Sequence, residues 1–165
     1  MTATYDSIAT TTVSSTPTTT VTFSSIPATF TDLVLVGVYK RTAGGATTPR
    51  ITFNSSATGY SEILMYGSGT AVVNSSTTAA TYLTGGSAAD GIWCTMTMNI
   101  FSYAGATNKT SLYEASTDAN GSGRTSRMVG LWANTNAITS ISILSSSASG
   151  WDVGTTWTLY GIKAE

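Results

Sequence analysis

The stretch Ile92-Trp93-Cys94-Thr95-Met96-Thr97-Met98-Asn99-Ile100-Phe101 decides the fold class of this chain. Successive side chains of a β-strand point to opposite faces, so residues two apart share a face. One face carries the apolar row Ile92, Cys94, Met96, Met98 and Ile100, and the other carries Trp93, Thr95, Thr97 and Asn99. A one-residue slip in register would expose the whole apolar row. The stretch therefore predicts a half-buried strand.

Strand patterns continue outward in both directions from this stretch, and no window shows the three-to-four-residue periodicity of a helix. Residues 19–23 alternate in the same way, and Asp32 to Lys40 is apolar on both faces, as expected of a central strand covered twice. Further strands are predicted near residues 5–10, 50–54, 61–66, 79–83, 109–116, 127–133, 138–144 and 155–162. The total is about eleven short strands.

Turn-forming residues separate these strands, because Gly and Asn adopt positive φ at low energy. The turns are predicted at Gly44-Gly45, Gly67-Ser68-Gly69, Gly85-Gly86, Asp90-Gly91, Asn120-Gly121 and Ser149-Gly150. This spacing favours an all-β fold, an antiparallel two-sheet β-sandwich or a barrel, formed by one domain over residues 1–165. Residues 11–20 are predicted to be a short polar arm that leads into a strand, with plain disorder as the alternative.

The amino-acid composition argues against some classes of function. The chain has 33 Thr and 23 Ser, and only 9% of its residues are charged, seven basic and eight acidic. Nucleic-acid binding needs clustered Lys and Arg, so it is not expected. The longest apolar run, Leu33 to Tyr39, is about a third of a membrane-spanning helix, so we expect a soluble protein with no membrane partner.

Charged residues are also distributed unevenly. Residues 7–31, 63–89 and 128–151 contain none at all. Charged side chains normally discourage sheet edges from pairing with neighbouring molecules. We therefore expect other chains to cover much of this surface.

Catalytic and metal chemistry have few candidate residues. The chain has no His, which excludes a Ser-His-Asp or Cys-His arrangement within it. Its one cysteine, Cys94, lies on the apolar row and is expected to be a buried core residue. Asp118-Ala119-Asn120-Gly121 is similar to the start of a calcium loop, but Val129 stands where a Glu ligand is needed. We predict no catalytic residue, cofactor or metal.

Paired carboxylates for glycoside hydrolysis stay open as an alternative, because Glu62, Glu114, Asp118 and Asp152 are far apart in sequence and can meet only in the fold. With eight acidic residues spread over the chain, coincidence is the better interpretation. The prediction remains that the protein is not an enzyme.

Five residues are candidates for an interface. Lys40 and Arg41 precede one loop, and Arg124 and Arg127 flank another, so all four suit inter-subunit ion pairs or, alternatively, solvated strand ends. Trp151 follows Ser149-Gly150 in a loop, where an exposed indole suits a protein interface or a stacked sugar. The other tryptophans, Trp93, Trp132 and Trp157, lie in strand patterns and are predicted to be core residues.

An ordered set of short segments resembles small virion proteins of tailed bacteriophages. The segments are Tyr5-Asp6-Ser7-Ile8-Ala9-Thr10, Val21-Thr22-Phe23-Ser24-Ser25-Ile26-Pro27, Thr31-Asp32-Leu33-Val34-Leu35-Val36, Phe53-Asn54, Tyr60-Ser61, Tyr103-Ala104-Gly105-Ala106-Thr107-Asn108-Lys109, Gly130-Leu131-Trp132-Ala133-Asn134, Ile138-Thr139-Ser140-Ile141 and Trp157-Thr158-Leu159-Tyr160-Gly161-Ile162. Together they span nearly the whole chain, and the closing segment is the most specific.

The resemblance implies a single jelly-roll domain on a phage particle, many of whose relatives infect cyanobacteria. Two roles are common in that group. One is a capsid decoration, or cement, protein that sits as a homotrimer on the major capsid protein at the outer capsid surface, after synthesis in the host cytoplasm. The other is the distal domain of a tail fibre or spike that binds a host-cell receptor or surface glycan. Sparse charge favours the first role, because it suits assembly through shape and many weak contacts.

Overall fold

A computed structural model describes residues 4–41, 47–87 and 91–163. These residues form twelve strands in two antiparallel sheets and contain no helix, which confirms the predicted all-β two-sheet sandwich. Accordingly, none of the described residues belongs to a helix that could cross a lipid bilayer. The strands are β1 (Tyr5–Thr12), β2 (Thr20–Phe23), β3 (Asp32–Tyr39), β4 (Pro49–Phe53), β5 (Tyr60–Gly67), β6 (Val72–Ala80), β7 (Leu83–Thr84), β8 (Cys94–Phe101), β9 (Lys109–Thr117), β10 (Arg124–Trp132), β11 (Ile141–Ser145) and β12 (Thr156–Ile162).

The two sheets are unequal in width. The large sheet has the order β1-β12-β3-β8-β9-β10-β5-β6, and the small sheet has the order β2-β11-β4-β7. We call β9-β10-β5-β6 the extension and β1-β12-β3-β8 the covered half. When the eight strands outside the extension are renumbered along the chain, the covered half reads 1-8-3-6 and the small sheet reads 2-7-4-5.

The core lies between the small sheet and the large one. Strand β8 shows the predicted alternation, because Cys94, Met96, Met98 and Ile100 are all at most 1% exposed. Buried residues of the small sheet complete the core, namely Val21, Phe23, Ile51, Phe53, Leu83, Ile141 and Ile143. The alternation of β8 was therefore a correct guide to which of its faces is buried.

Aromatic side chains fill one end of this core. Tyr39 stacks on Trp157 with 5.1 Å between the ring centroids, and Trp151 meets both rings edge-on at 5.6 and 5.8 Å. The indole of Trp157 lies so close to Gly37, its partner across the strands, that a Cβ there would overlap it. Glycine at 37 is thus required by packing.

The strand predictions fail in two places. The structure has twelve strands where about eleven were predicted, and the strand predicted at 79–83 is instead the end of β6 and the start of β7. Most of β6 was missed, because its sequence VVNSSTTAA is exposed along its length and shows no buried alternation. The second face of strand β3 is covered only in part, since Val34 is 5% exposed but Val38 is 43% exposed.

Residues 11–20, predicted to be a polar arm that leads into a strand, contact the rest of the domain. Strand β1 continues to Thr12, and Val13 is 3% exposed and bonded through its backbone to Gly154 and Thr155. Thr18 forms a β-bridge with Trp151 before β2 begins. Of the predicted turns, Asn120-Gly121 has positive φ at both residues (56° and 85°), whereas Gly44-Gly45 and Asp90 lie outside the described residues.

Candidate functional site

The outer face of the extension, which points away from the small sheet, exposes large apolar side chains. Ile63 and Met65 on β5 are 62% and 52% exposed, and Val129 on β10 is 44% exposed. Val129 is paired with Ile63 across the strands and with the half-buried Leu112 of β9 on its other side. We call these four residues the apolar patch. Contiguous exposed apolar residues of this kind mark interaction surfaces.

Strand β6 forms the free edge of the extension. In the described part of the chain, β6 is hydrogen-bonded to β5 on one side and has no strand on its other side. Eight of its nine residues are exposed, and Val72 is 77% exposed. The strand lies inside the charge-free segment 63–89. It therefore presents a row of backbone donors and acceptors that no charged side chain protects.

Three of the basic interface candidates lie at the surface. Lys40 Nζ is 2.9 Å from Asp152 Oδ2, and this hydrogen bond lowers the pKa of the Asp152 carboxyl. Arg127 pairs with Glu114 on the outer face at 3.8 Å. The Arg124 guanidinium lies 4.0 Å from the centroid of the Tyr66 ring. All three therefore already interact within the chain, and their role in an interface stays a prediction.

The tryptophan predictions need correction. Trp151, expected to be an exposed indole in a loop, is 0% exposed, because bridges to Thr18 and Arg41 and the rings around it enclose it. Arg41 is itself only 1% exposed, so neither side chain is available at the surface. Trp93, expected in the core, precedes β8 and is 46% exposed. Trp132 and Trp157 are buried as predicted, at 2% and 0%.

Trp93 borders a shallow depression of about 440 Å³ at one end of the outer face. Its floor crosses the strands β8, β9 and β10, and its rim consists of the β5–β6 and β9–β10 turns. The lining consists of Gly67, Gly69, Trp93, Thr95, Ser116, Thr117, Asp118, Gly121, Gly123, Arg124 and Thr125. Sequence reasoning missed this site, because its residues come from segments far apart in the chain.

The carboxylates Glu62 and Glu114 do not share a cleft. Glu62 points inward and is 8% exposed, and its Oε2 accepts hydrogen bonds from the Thr84 backbone N–H (2.7 Å) and from the Tyr113 hydroxyl. Burial raises the pKa of the Glu62 carboxyl. Glu114 is exposed on the opposite face of the same sheet, paired with Arg127. These two carboxylates therefore do not form the pair that glycoside hydrolysis uses.

Two polar residues that sequence reasoning did not single out hold loops in place. Lys109 is 1% exposed, and its ammonium donates to the carbonyls of Gly105, Thr107 and Thr135. Burial lowers the pKa of the Lys109 ammonium. Asn54 has a similar role, because its amide oxygen accepts from the backbone N–H groups of residues 139 and 140.

Cys94 is buried, as predicted, and it is not part of a disulfide bond. Within the ranges that the structure describes, no three His, Cys, Asp or Glu side chains lie close enough together to hold a metal ion.

Comparisons with protein-family models, with curated proteins and with solved structures return no match. The function is therefore inferred from the residues and geometry of this chain.

Proposed function

We propose that this protein is a virion structural protein of a tailed bacteriophage, a capsid decoration or cement protein. It binds the major capsid protein on the outer capsid surface as a homotrimer and stabilises the shell. The observation that carries the proposal is the extension, which joins an uncharged free edge to an exposed apolar patch. The proposed function involves neither substrate turnover nor nucleic acid or membrane.

The free edge supports a role in assembly. Natural sheets protect their edges with Lys, Pro, bulges or short strands, because an open edge pairs with other chains. Strand β6 is nine residues long and has neither charge nor Pro, and its one irregularity lies near its end, opposite Tyr60 and Glu62. Such an edge suits a protein whose edge is covered in its working state.

The apolar patch begins on β5, the strand next to that edge, and continues across β10 and β9 of the same sheet. Ile63 and Met65 stand on β5, which is bonded directly to β6, so edge and patch form one continuous surface. The single ion pair beside the patch, between Arg127 and Glu114, leaves its net charge at zero. A neighbouring copy or a capsid subunit can therefore approach it without charge repulsion.

The strand order supports the jelly-roll part of the proposal. In the orders 1-8-3-6 and 2-7-4-5, every connection except the one from strand 4 to strand 5 passes between the two sheets, which supports a jelly roll. The extension consists of two hairpins, β5-β6 and β9-β10, that are inserted into this order. Both insertions lie side by side, so they enlarge one surface of the domain.

The proposed mechanism is mechanical. A trimer that bridges neighbouring capsid subunits adds binding energy that exists only in the assembled shell. Three linked contacts also bind far more tightly than one, even where each contact is weak. The barrier to local opening of the shell under the pressure of packaged DNA rises accordingly.

The test is to add purified protein to phage capsids stripped of it. We expect binding at a regular copy number and an increase in the temperature at which DNA is released. A double variant, Ile63→Lys with Met65→Lys, places two charges on the apolar patch and is expected to weaken capsid binding about tenfold or more. The readouts are co-sedimentation with capsids and a dye assay for released DNA.

Tyr5→Lys is the matched control, because Tyr5 is 59% exposed on β1 at the opposite edge of the large sheet. This variant should bind capsids like the wild type. If the protein does not bind capsids but blocks adsorption of phage to cells, the tail-fibre or spike role is supported instead. Protein that does neither would contradict both.

A further inference from the structure

The exposed indole of Trp93 is held in a fixed position. Lys40 Nζ stands 5.0 Å from the centroid of the Trp93 ring, and Lys40 is in turn held by Asp152 at 2.9 Å. A Cβ on Gly154 would lie 3.4 Å from the same ring, so the loop backbone also approaches it closely. An aromatic ring that is 46% exposed and yet supported in this way is already organised for binding.

Hydroxyl groups form the floor beside the indole. Thr95, Ser116 and Thr125 are successive partners across β8, β9 and β10 on the outer face. The hydroxyls of Thr95 and Ser116 are 2.9 Å apart and hydrogen-bonded. The next position across the sheet is Gly67, where a Cβ would meet no atom within 4 Å, so the floor is open there.

The rim adds one acidic and one basic side chain. Asp118 is fixed because its Oδ1 accepts a hydrogen bond from Gly121 N–H at 3.0 Å. Arg124 is fixed by its position over the Tyr66 ring. The two charges cancel, as do those of Lys40 and Asp152 beside the indole. The depression therefore carries no net charge to attract an ion, and its ligand is expected to be neutral.

We propose that this depression binds a neutral saccharide, a short chain of hexopyranose units, with the apolar face of one sugar ring against Trp93. A sugar ring combines such a face with a rim of hydroxyls that both donate and accept hydrogen bonds. The indole matches the face, and the hydroxyls of Thr95 and Ser116, which also donate and accept, match the rim together with the Asp118 carboxylate. An apolar protein side chain would exclude water from these floor hydroxyls and leave them only the hydrogen bond that they already make to each other. The inference does not rest on the proposed capsid role.

Tryptophan fluorescence tests this directly. Trp93 is the exposed one of the four tryptophans, and the other three are at most 2% exposed, so acrylamide quenching reports mainly on Trp93. The probes are cellotetraose, maltotetraose and N-acetylchitotetraose, each titrated to millimolar concentration. We expect at least one of them to protect Trp93 from acrylamide, with a saturable curve, and Trp93→Ala to lower the affinity about tenfold in calorimetry.

Phe101→Ala is the matched control, because Phe101 is 42% exposed at the far end of β8, the strand that Trp93 precedes. It should leave saccharide affinity unchanged, whereas Trp93→Phe should keep part of it. The proposal is overturned if none of the three tetrasaccharides protects Trp93, or if Trp93→Ala binds as tightly as the wild type. Circular dichroism of each variant shows whether it is folded, so loss of binding is not confused with loss of structure.

Discussion

The covered half of the large sheet and the extension are built from the same hydroxyl-rich sequence and yet have different surroundings. The covered half buries Leu33, Leu35, Met96 and Trp157 completely or nearly so. In the extension, β5, β9 and β10 also contribute to the core, where they bury Tyr60, Tyr113, Met128 and Trp132. The extension ends in β6, whose side chains are almost all exposed. The comparison teaches that a strand can be held by hydrogen bonds along one side while contributing little to the core. The exposed side chains and free edge of such a strand are available for contact with another molecule.

The two edges of the large sheet differ in the same way. Strand β1 has a bulge between Ser7 and Ala9 and carries Asp6, which pairs with Lys163. Strand β6 carries no charged residue. Both edge strands have one bulge, so charge distinguishes them: Asp6 protects the β1 edge, whereas no charged side chain protects the β6 edge.

Alanine substitution of one glycine in each region should give the largest contrast. In the covered half, Gly37→Ala forces a methyl group into the buried Trp157 indole and is expected to lower the free energy of unfolding by roughly 2–3 kcal/mol. In the extension, a Cβ on Gly67 would meet no atom within 4 Å. Gly67→Ala should therefore change the free energy of unfolding by less than about 0.5 kcal/mol. Urea unfolding followed by circular dichroism measures both. Equal effects would contradict the difference in packing between these two positions.

The pH dependence of Glu62 tests how the extension is joined to the small sheet. Glu62 on β5 links Thr84 of β7 to Tyr113 of β9, and burial raises its pKa above the ordinary value of 4.5. Between 4.5 and the raised pKa, the folded chain binds more protons than the unfolded chain. The free energy of unfolding therefore decreases as pH rises through that range.

The Glu62→Gln variant lacks this titration, while its amide oxygen still accepts both hydrogen bonds. Its free energy of unfolding minus that of the wild type should therefore increase from pH 4 towards pH 8. Urea unfolding at a series of pH values measures this difference. Glu114→Gln, at an exposed ion pair, is the control and should change stability by less than about 1 kcal/mol. A difference that stays constant or falls with pH would contradict the assignment.

The smallest effect on stability is expected at the free edge. Ser76→Lys places a charge on β6 and should change the free energy of unfolding by less than about 0.5 kcal/mol, because the site is exposed. It should nonetheless weaken self-association, measured by sedimentation velocity. Ser7→Lys on β1 is the matched control and should associate like the wild type. If Ser7→Lys disrupts assembly and Ser76→Lys does not, the roles of the two edges are reversed.

Local sequence patterns predicted the strands that have one buried face. They did not predict β6, which is exposed on both faces. Strand β8 was predicted with its correct buried face, because one apolar row separates core from solvent. Strand β6 was missed, because its hydroxyl residues show no alternation when both faces are exposed. Its strand conformation comes from pairing with β5, which its own residues do not reveal.

The sequence by itself determined the all-β class, the alternation of the core strands, the burial of Cys94 and the scarcity of charge over whole segments. These follow from side-chain period and composition, which are local properties. Only the tertiary structure decided that Trp151 is enclosed and Trp93 is exposed, and that Thr95, Ser116 and Asp118 meet beside it. The physical reason is that the burial of a residue depends on which distant strands pair and which loops fold over it. Neither can be deduced from the neighbouring residues in the sequence.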